Sequence, residues 1–144
     1  MNPTANEKAN IAIVKKFFEV GPSKGDLEAA HALLAEDFTM QVPLPVTGPG
    51  VEAIKQVITS CRAAFGGLYV TIDDIFADGD KVSCRFTSHG THTGEFMGVP
   101  PTGKAVSMTG IEIFRIKDGK IAELWGEANL MGLAQHLGAL PAKE

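Results

Sequence analysis

The chain has 144 residues, 44% hydrophobic and 21% charged, with a formal net charge of -4, the make-up of one globular domain spanning residues 1–144 around a single core. No Lys/Arg cluster offers the basic face that nucleic acid binding requires; the nearest pair, Lys15-Lys16, falls on the wet side of a helix. The sequence holds no long uncharged apolar run, so no membrane contact is expected, and Met1 to Glu7 lacks the basic and apolar regions of a secretory signal, so a cytoplasmic location is expected.

In chain order, Thr4 and Glu7 have the spacing of a capping box, which predicts a helix start. Ile11, Val14, Phe17 and Phe18 follow on one helical face, and Gly21-Pro22-Ser23-Lys24-Gly25 ends that helix. Asp26 can cap a second helix that carries Leu27, Ala30, Leu33 and Leu34 inward. After Gly48-Pro49-Gly50, a third shows Val51, Ile54, Val57, Ile58 and Cys61 at helical spacing. From there the period changes to two. Tyr69 to Phe76 reads as a strand, Asp78-Gly79-Asp80 as a turn with Asp78-Gly79 its hairpin signal, Lys81 to Thr93 and Lys104 to Lys117 as long strands, and Asp118-Gly119 as a second turn into Lys120 to Trp125. A weak helical pattern returns after Asn129. Helices first and hairpin-linked strands after predict an α+β fold: a curved sheet, mostly antiparallel, with helices enclosing a small-molecule cavity.

Two features point elsewhere and are set aside. Gly98 to Lys104 fits G-x-x-x-x-G-K, but Ala105 stands where a phosphate loop needs Ser or Thr, a strand pattern follows, and Pro100 and Pro101 lack N–H donors. Cys61 and Cys84 read as reduced, buried thiols, and no Cys/His spacing suggests a metal site. His89 and His92, three apart in a strand, point to opposite faces, and His31 and His136 read as helix-surface residues.

Three segments together carry a resemblance. They are Gly90-Thr91-His92-Thr93-Gly94 running on through Val99-Pro100-Pro101-Thr102-Gly103; Phe114-Arg115 with Asp118-Gly119-Lys120-Ile121, Glu123 and Trp125; and Gly132-Leu133 with Gln135 and Leu137-Gly138. With Lys24 to Leu27 and Glu36 to Phe38, they resemble the SnoaL-like polyketide cyclase family over nearly the whole chain. The resemblance implies a cone-shaped α+β fold related to nuclear transport factor two and ketosteroid isomerase, and a homodimer. It also implies ring closure of a polyketide ester by an aldol reaction without metal or organic cofactor, using an acidic residue and a histidine. Matched position by position, the family's acid falls on Gly126, a second acidic position on Asn129, and its histidine on Glu112.

The residues leave these site readings. Glu112 shares strand parity with Val106, Met108 and Phe114, which directs it to the cavity side as a general base or acid; the alternative is an outward Glu paired across the sheet. His92 is either a proton shuttle or the anchor of its glycine-rich turn. Trp125 is a wall for a ring-shaped ligand or a dimer contact, because a bulge would reverse its parity. Asn129 holds a ligand carbonyl or caps the last helix. Met108 and Phe114 are expected to line the ligand site. Arg85, Arg115 and Glu123 are expected to form an outer-face charged cluster. The ligand expected is a small apolar or cyclic carbonyl compound. The competing functions are a cofactor-independent enzyme, a non-catalytic binding domain, and a structural dimer with a filled core.

Overall fold

The computed structural model describes residues 2–139. Helix α1 spans Ala5–Phe18, and its capping box forms as read: Thr4 Oγ1 accepts from Glu7 N–H at 3.1 Å while Glu7 Oε1 accepts from Thr4 N–H at 2.8 Å. The helix does not stop at Gly21. It widens into a π-helical turn, Glu19–Ser23, because Pro22 has no N–H to continue the regular ladder. Gly25 (φ +73°) ends the turn, and Arg62 donates to the carbonyls of Pro22 and Ser23 at 2.9 and 2.8 Å, satisfying acceptors that a helix end leaves open.

Asp26 caps α2, Leu27–Ala32, through Ala29 N–H at 3.0 Å. This helix is shorter than the apolar spacing suggests. Leu34 belongs instead to strand β1, Leu34–Gln41, which the sequence pattern did not show. Helix α3 spans Gly50–Ala64 and runs directly into β2, Phe65–Asp78. Strands β3, Lys81–His92, β4, Ala105–Lys117, and β5, Lys120–Ala128, follow, then helix α4, Leu130–His136. The sheet order is β1-β5-β4-β3-β2, antiparallel throughout except that β1 pairs parallel with β5. The expected α+β architecture is therefore present as a mixed sheet.

Both hairpins close on two residues. Asp118 (φ +51°) and Gly119 (φ +73°) both take positive φ, the type I′ pattern that matches strand twist. The first hairpin turns on Gly79-Asp80, within the Asp78-Gly79-Asp80 turn read from the sequence, with Gly79 at φ +62°. Bulges interrupt β2 between Gly66 and Tyr69 and between Ile72 and Asp74, and bulges bend the strands that carry them.

The inner face of the sheet is closed at one end by α1. Phe114 is fully buried, and its ring meets those of Phe17 and Phe18 edge-on at 6.1 and 5.8 Å. Val82, Cys84, Ile121 and Leu124 belong to the same core. A second cluster, Ala64, Phe65, Leu68 and Val106, packs under Leu133 and Leu137 near α4. Among the described residues, no helix is long and apolar enough to cross a membrane.

Candidate functional site

Between the two clusters lies a cavity of about 130 Å³. Helix α3 supplies Ile54, Ile58 and Cys61, strand β2 supplies Phe65 and Leu68, and β5 supplies Leu124 and Gly126. Val42, Pro43 and Leu44, just after β1, form part of the wall with Phe96 and Leu130.

Glu112 lines this cavity together with Met108. Both sit on the inner face of β4, as their parity with Val106 and Phe114 implied. Glu112 pairs in register with Cys84 on β3 and Gly126 on β5. None of the hydrogen bonds or ion pairs found among the described residues involves its carboxylate. Burial in these apolar surroundings pushes the Glu112 carboxyl up to about 8, since an unpaired charge is poorly solvated there. Such a group holds its proton at neutral pH in most molecules and is a strong base in the rest. Burial also raises Cys61 to about 11; Cys84 reaches about 12 through burial first and then the charges of Glu112, Asp73 and Asp74. Neither free thiol has the depressed pKa of a nucleophilic cysteine.

Phe114 shares the face of Glu112 but lies outside the cavity wall, in the solid core among Phe17 and Phe18. The reading of Phe114 as a ligand contact is corrected accordingly: α1 fills the space over it.

His92 is 0% exposed and does not line the cavity. Thr102 N–H donates to its Nδ1 at 3.2 Å, and Thr102 Oγ1 lies 3.1 Å from the same atom. The ring packs 5.6 Å from that of Phe65. Of its two sequence readings, the structure places His92 as the anchor of the 93–104 loop. That loop folds back at Met97-Gly98, where Phe96 and Val99 exchange hydrogen bonds of 3.0 and 2.9 Å, and Phe96 reaches the cavity. Lys104, the lysine of the rejected phosphate-loop pattern, donates to the His136 carbonyl at 3.2 Å at the end of α4.

Trp125 lies on the opposite face from the cavity-lining Leu124 and Gly126, so the ligand-wall reading is not met. It pairs with Ile113 on β4 and Gln41 on β1. Arg115 and Glu123 bond at 2.6 Å on this outer face, whereas Arg85 turns to Asp73 at 3.8 Å, so the expected three-residue cluster is one close pair and one looser one. His89 stacks on Tyr69 with ring centroids 4.6 Å apart. Among the described residues, no three His, Cys, Asp or Glu side chains cluster as metal ligands would.

Asn129 accepts from Gly132 N–H at 2.9 Å and caps α4; it is not part of the cavity wall. Asn129→Ala should lower stability by about 1 kcal/mol, the usual cost of a lost cap, and leave the affinity for an apolar probe such as 2-tetralone unchanged. A tenfold loss of probe affinity at unchanged stability would make it a ligand contact after all. Ser88 was missed by sequence reading, although extending the alternation of Val82, Cys84 and Phe86 by one step reaches it. Ser88 lines the cavity opposite Met108.

The SnoaL-like polyketide cyclase family model matches residues 12–137. The aklanonic acid methyl ester cyclase DnrD of Streptomyces peucetius is 29% identical over 90 residues, a span covering 62% of each chain. Among solved structures, AclR of Streptomyces galilaeus, proposed to be a hydroxylase, superposes with a TM-score of 0.84 at 29% identity, covering 96% of this chain and 86% of AclR. Wild-type IdmH of Streptomyces antibioticus, proposed to be a polyketide cyclase, gives 0.78 at 32% identity, covering 90% of this chain and 98% of IdmH. Motif, fold and cavity agree with a match over most of the sequence: the chain belongs to the SnoaL-like polyketide cyclase family.

Proposed function

We propose that this chain is a cofactor-independent enzyme that takes a proton from carbon next to a carbonyl of a small, ring-containing apolar substrate, with Glu112 as the proton-transfer group. The observation that carries the reading is the Glu112 carboxyl, which has no hydrogen-bond or ion-pair partner among the described residues, in a mostly apolar cavity whose other polar lining is Ser88 and the solvent-exposed Glu127. In the step itself the C–H bond breaks, its proton goes to Glu112, and the electron pair passes to the carbonyl oxygen as an enolate. In a cyclase, the enolate carbon then bonds to a second carbonyl carbon of the same molecule, and the resulting alkoxide takes a proton.

The cavity volume, about 130 Å³, is close to that of engineered cavities that hold benzene. One ring fits within it, and the rest of a larger substrate would extend past Phe96 and Leu44. Ser88 lies four residues along the sheet from the Glu112 level, roughly 13 Å at strand rise. Its hydroxyl suits the far end of a ligand rather than the reacting carbonyl. Neither His92 nor Asn129 lines the cavity to hold the enolate oxygen.

A non-catalytic binding domain is the second reading, favoured by Gly126 and Asn129 standing where the family resemblance places acids. The cavity itself weighs against a structural dimer with a filled core. Incubation with the bicyclic ketone 2-tetralone in D2O separates the first two: enzyme-dependent exchange of its α-hydrogens, followed by proton NMR, supports proton transfer, and binding without exchange supports the second reading.

A homodimer through the outer sheet face belongs to the same proposal. Ile111 (53% exposed), Ile113 (39% exposed) and Trp125 form an apolar stripe on that face, rimmed by Arg85, Arg115 and Glu123; apolar patches framed by polar groups are common at subunit contacts. The Ile113→Lys variant should elute as a monomer in size-exclusion chromatography with light scattering. A wild-type monomer at tens of micromolar would remove the dimer.

A further inference from the structure

We infer that Gly126 is the positioning residue for Glu112: its missing side chain leaves the niche in which the carboxylate lies, and so sets where in the cavity a proton is taken up. Its catalytic consequence rests on the proposed function; the steric claim does not. The two residues face each other on adjacent strands. A Cβ built at Gly126 would stand 2.8 Å from Glu112 Oε2 and 3.2 Å from both Glu112 Cγ and Val42 Cγ1. Carbon and oxygen that are not bonded do not approach that closely, so a side chain at 126 would oblige the Glu112 carboxylate, the free end of a flexible side chain, to leave its present place.

Backbone conformation does not demand this glycine. Gly126 is absent from the positive-φ residues and lies within the regular ladder of β5, where glycine weakens a strand relative to alanine. Space is what it supplies. Gly110, also on the inner face, makes room for the Phe86 ring, whereas Gly126 is the described glycine whose opened space is filled by a carboxylate. Val42 closes the remaining side. A methyl group at 126 would therefore turn the carboxylate off β5 and out of the niche in which burial disfavours its anion.

Two measurements on the full chain test this without a substrate. With glutamate carboxyls labelled by carbon-13, the Glu112 resonance is assigned by its absence in E112Q and titrated by NMR. In G126A its midpoint should fall by at least one pH unit, a tenfold or greater rise in the ratio of anion to acid at a given pH. Thermal melts supply the second. G126A should melt lower than wild type, but adding G126A to E112A, where the niche is empty, should leave the melt unchanged or raise it. This reversal keeps the test decisive even if G126A folds too poorly for NMR. An unmoved titration in folded G126A, or equal damage from G126A in both backgrounds, overturns the inference. Should E112Q exchange 2-tetralone as fast as wild type while the reversal is seen, the proposed chemistry fails and the positioning stands.

Discussion

Replacing Glu112 by glutamine should slow α-deuterium exchange into 2-tetralone by about 10²–10⁴-fold, the range a positioned general base contributes. The amide keeps the shape of the side chain and cannot accept the proton. Binding of the ketone, which depends on apolar contacts with residues such as Met108, Leu68 and Ile58, should stay within threefold, so the loss falls on kcat rather than KM. The pH profile carries an independent signature. The base must be anionic, and burial sets its carboxyl at about 8; kcat/KM should therefore rise about tenfold per pH unit from pH 5 to 7 and level off above 8. A rate that falls over this range would make Glu112 an acid, and a flat rate retained by E112Q would take it out of the chemistry. A single base, without an oxyanion hole of several donors, also implies a modest total acceleration.

How much of this site was legible depended on where along a strand each residue sits. Strand β4 runs without a bulge from Ala105 to Arg115, so counting by two placed Glu112 and Met108 correctly on the inner face. The same counting placed Phe114 there, and it is there, but two residues deeper, where the rings of α1 fill the space. Parity gives the face of a sheet; whether that face meets a cavity or a helix depends on long-range packing. His92 shows the same limit: it points inward at the end of β3 and meets Phe65 and the 93–104 loop. Strand β1 escaped notice because only Leu34 and Phe38 are buried along it and Glu36-Asp37 interrupts its apolar pattern. Capping residues and tight turns, whose chemistry is local, were legible at Thr4, Asp26 and Asp118-Gly119. The match between Glu112 and Gly126 was not, because it joins two strands in a register that no single segment encodes.

The raised Glu112 carboxyl should also leave a thermodynamic mark that requires no ligand. An ordinary glutamate in the unfolded chain releases its proton near 4.5, whereas the folded protein holds this one until about 8. Between those values the folded state binds more protons than the unfolded state, so stability falls as pH rises. The contribution is fully present below pH 4.5 and lost as pH passes through 8. A displacement of that size corresponds to a loss of about 3 kcal/mol by pH 7 and at most about 5 kcal/mol above pH 8. E112Q has nothing to titrate at this position. Urea melts at pH 5, 7 and 9 should therefore show wild type losing stability relative to E112Q by these amounts, whatever constant offset the amide introduces. Glu7 and Glu19 act in the opposite sense: backbone hydrogen bonds from Thr4 and Gly79 lower the first, and the bond from Lys24 with the charge of Lys16 lowers the second. Their contributions are lost on acidification and are common to both proteins, so they cancel in the difference. In the folded protein the thiols of Cys61 and Cys84 titrate above this window. Parallel wild-type and E112Q curves from pH 5 to 9 would mean that the carboxylate is solvated in the folded protein, and the base in an apolar cavity would be lost with it.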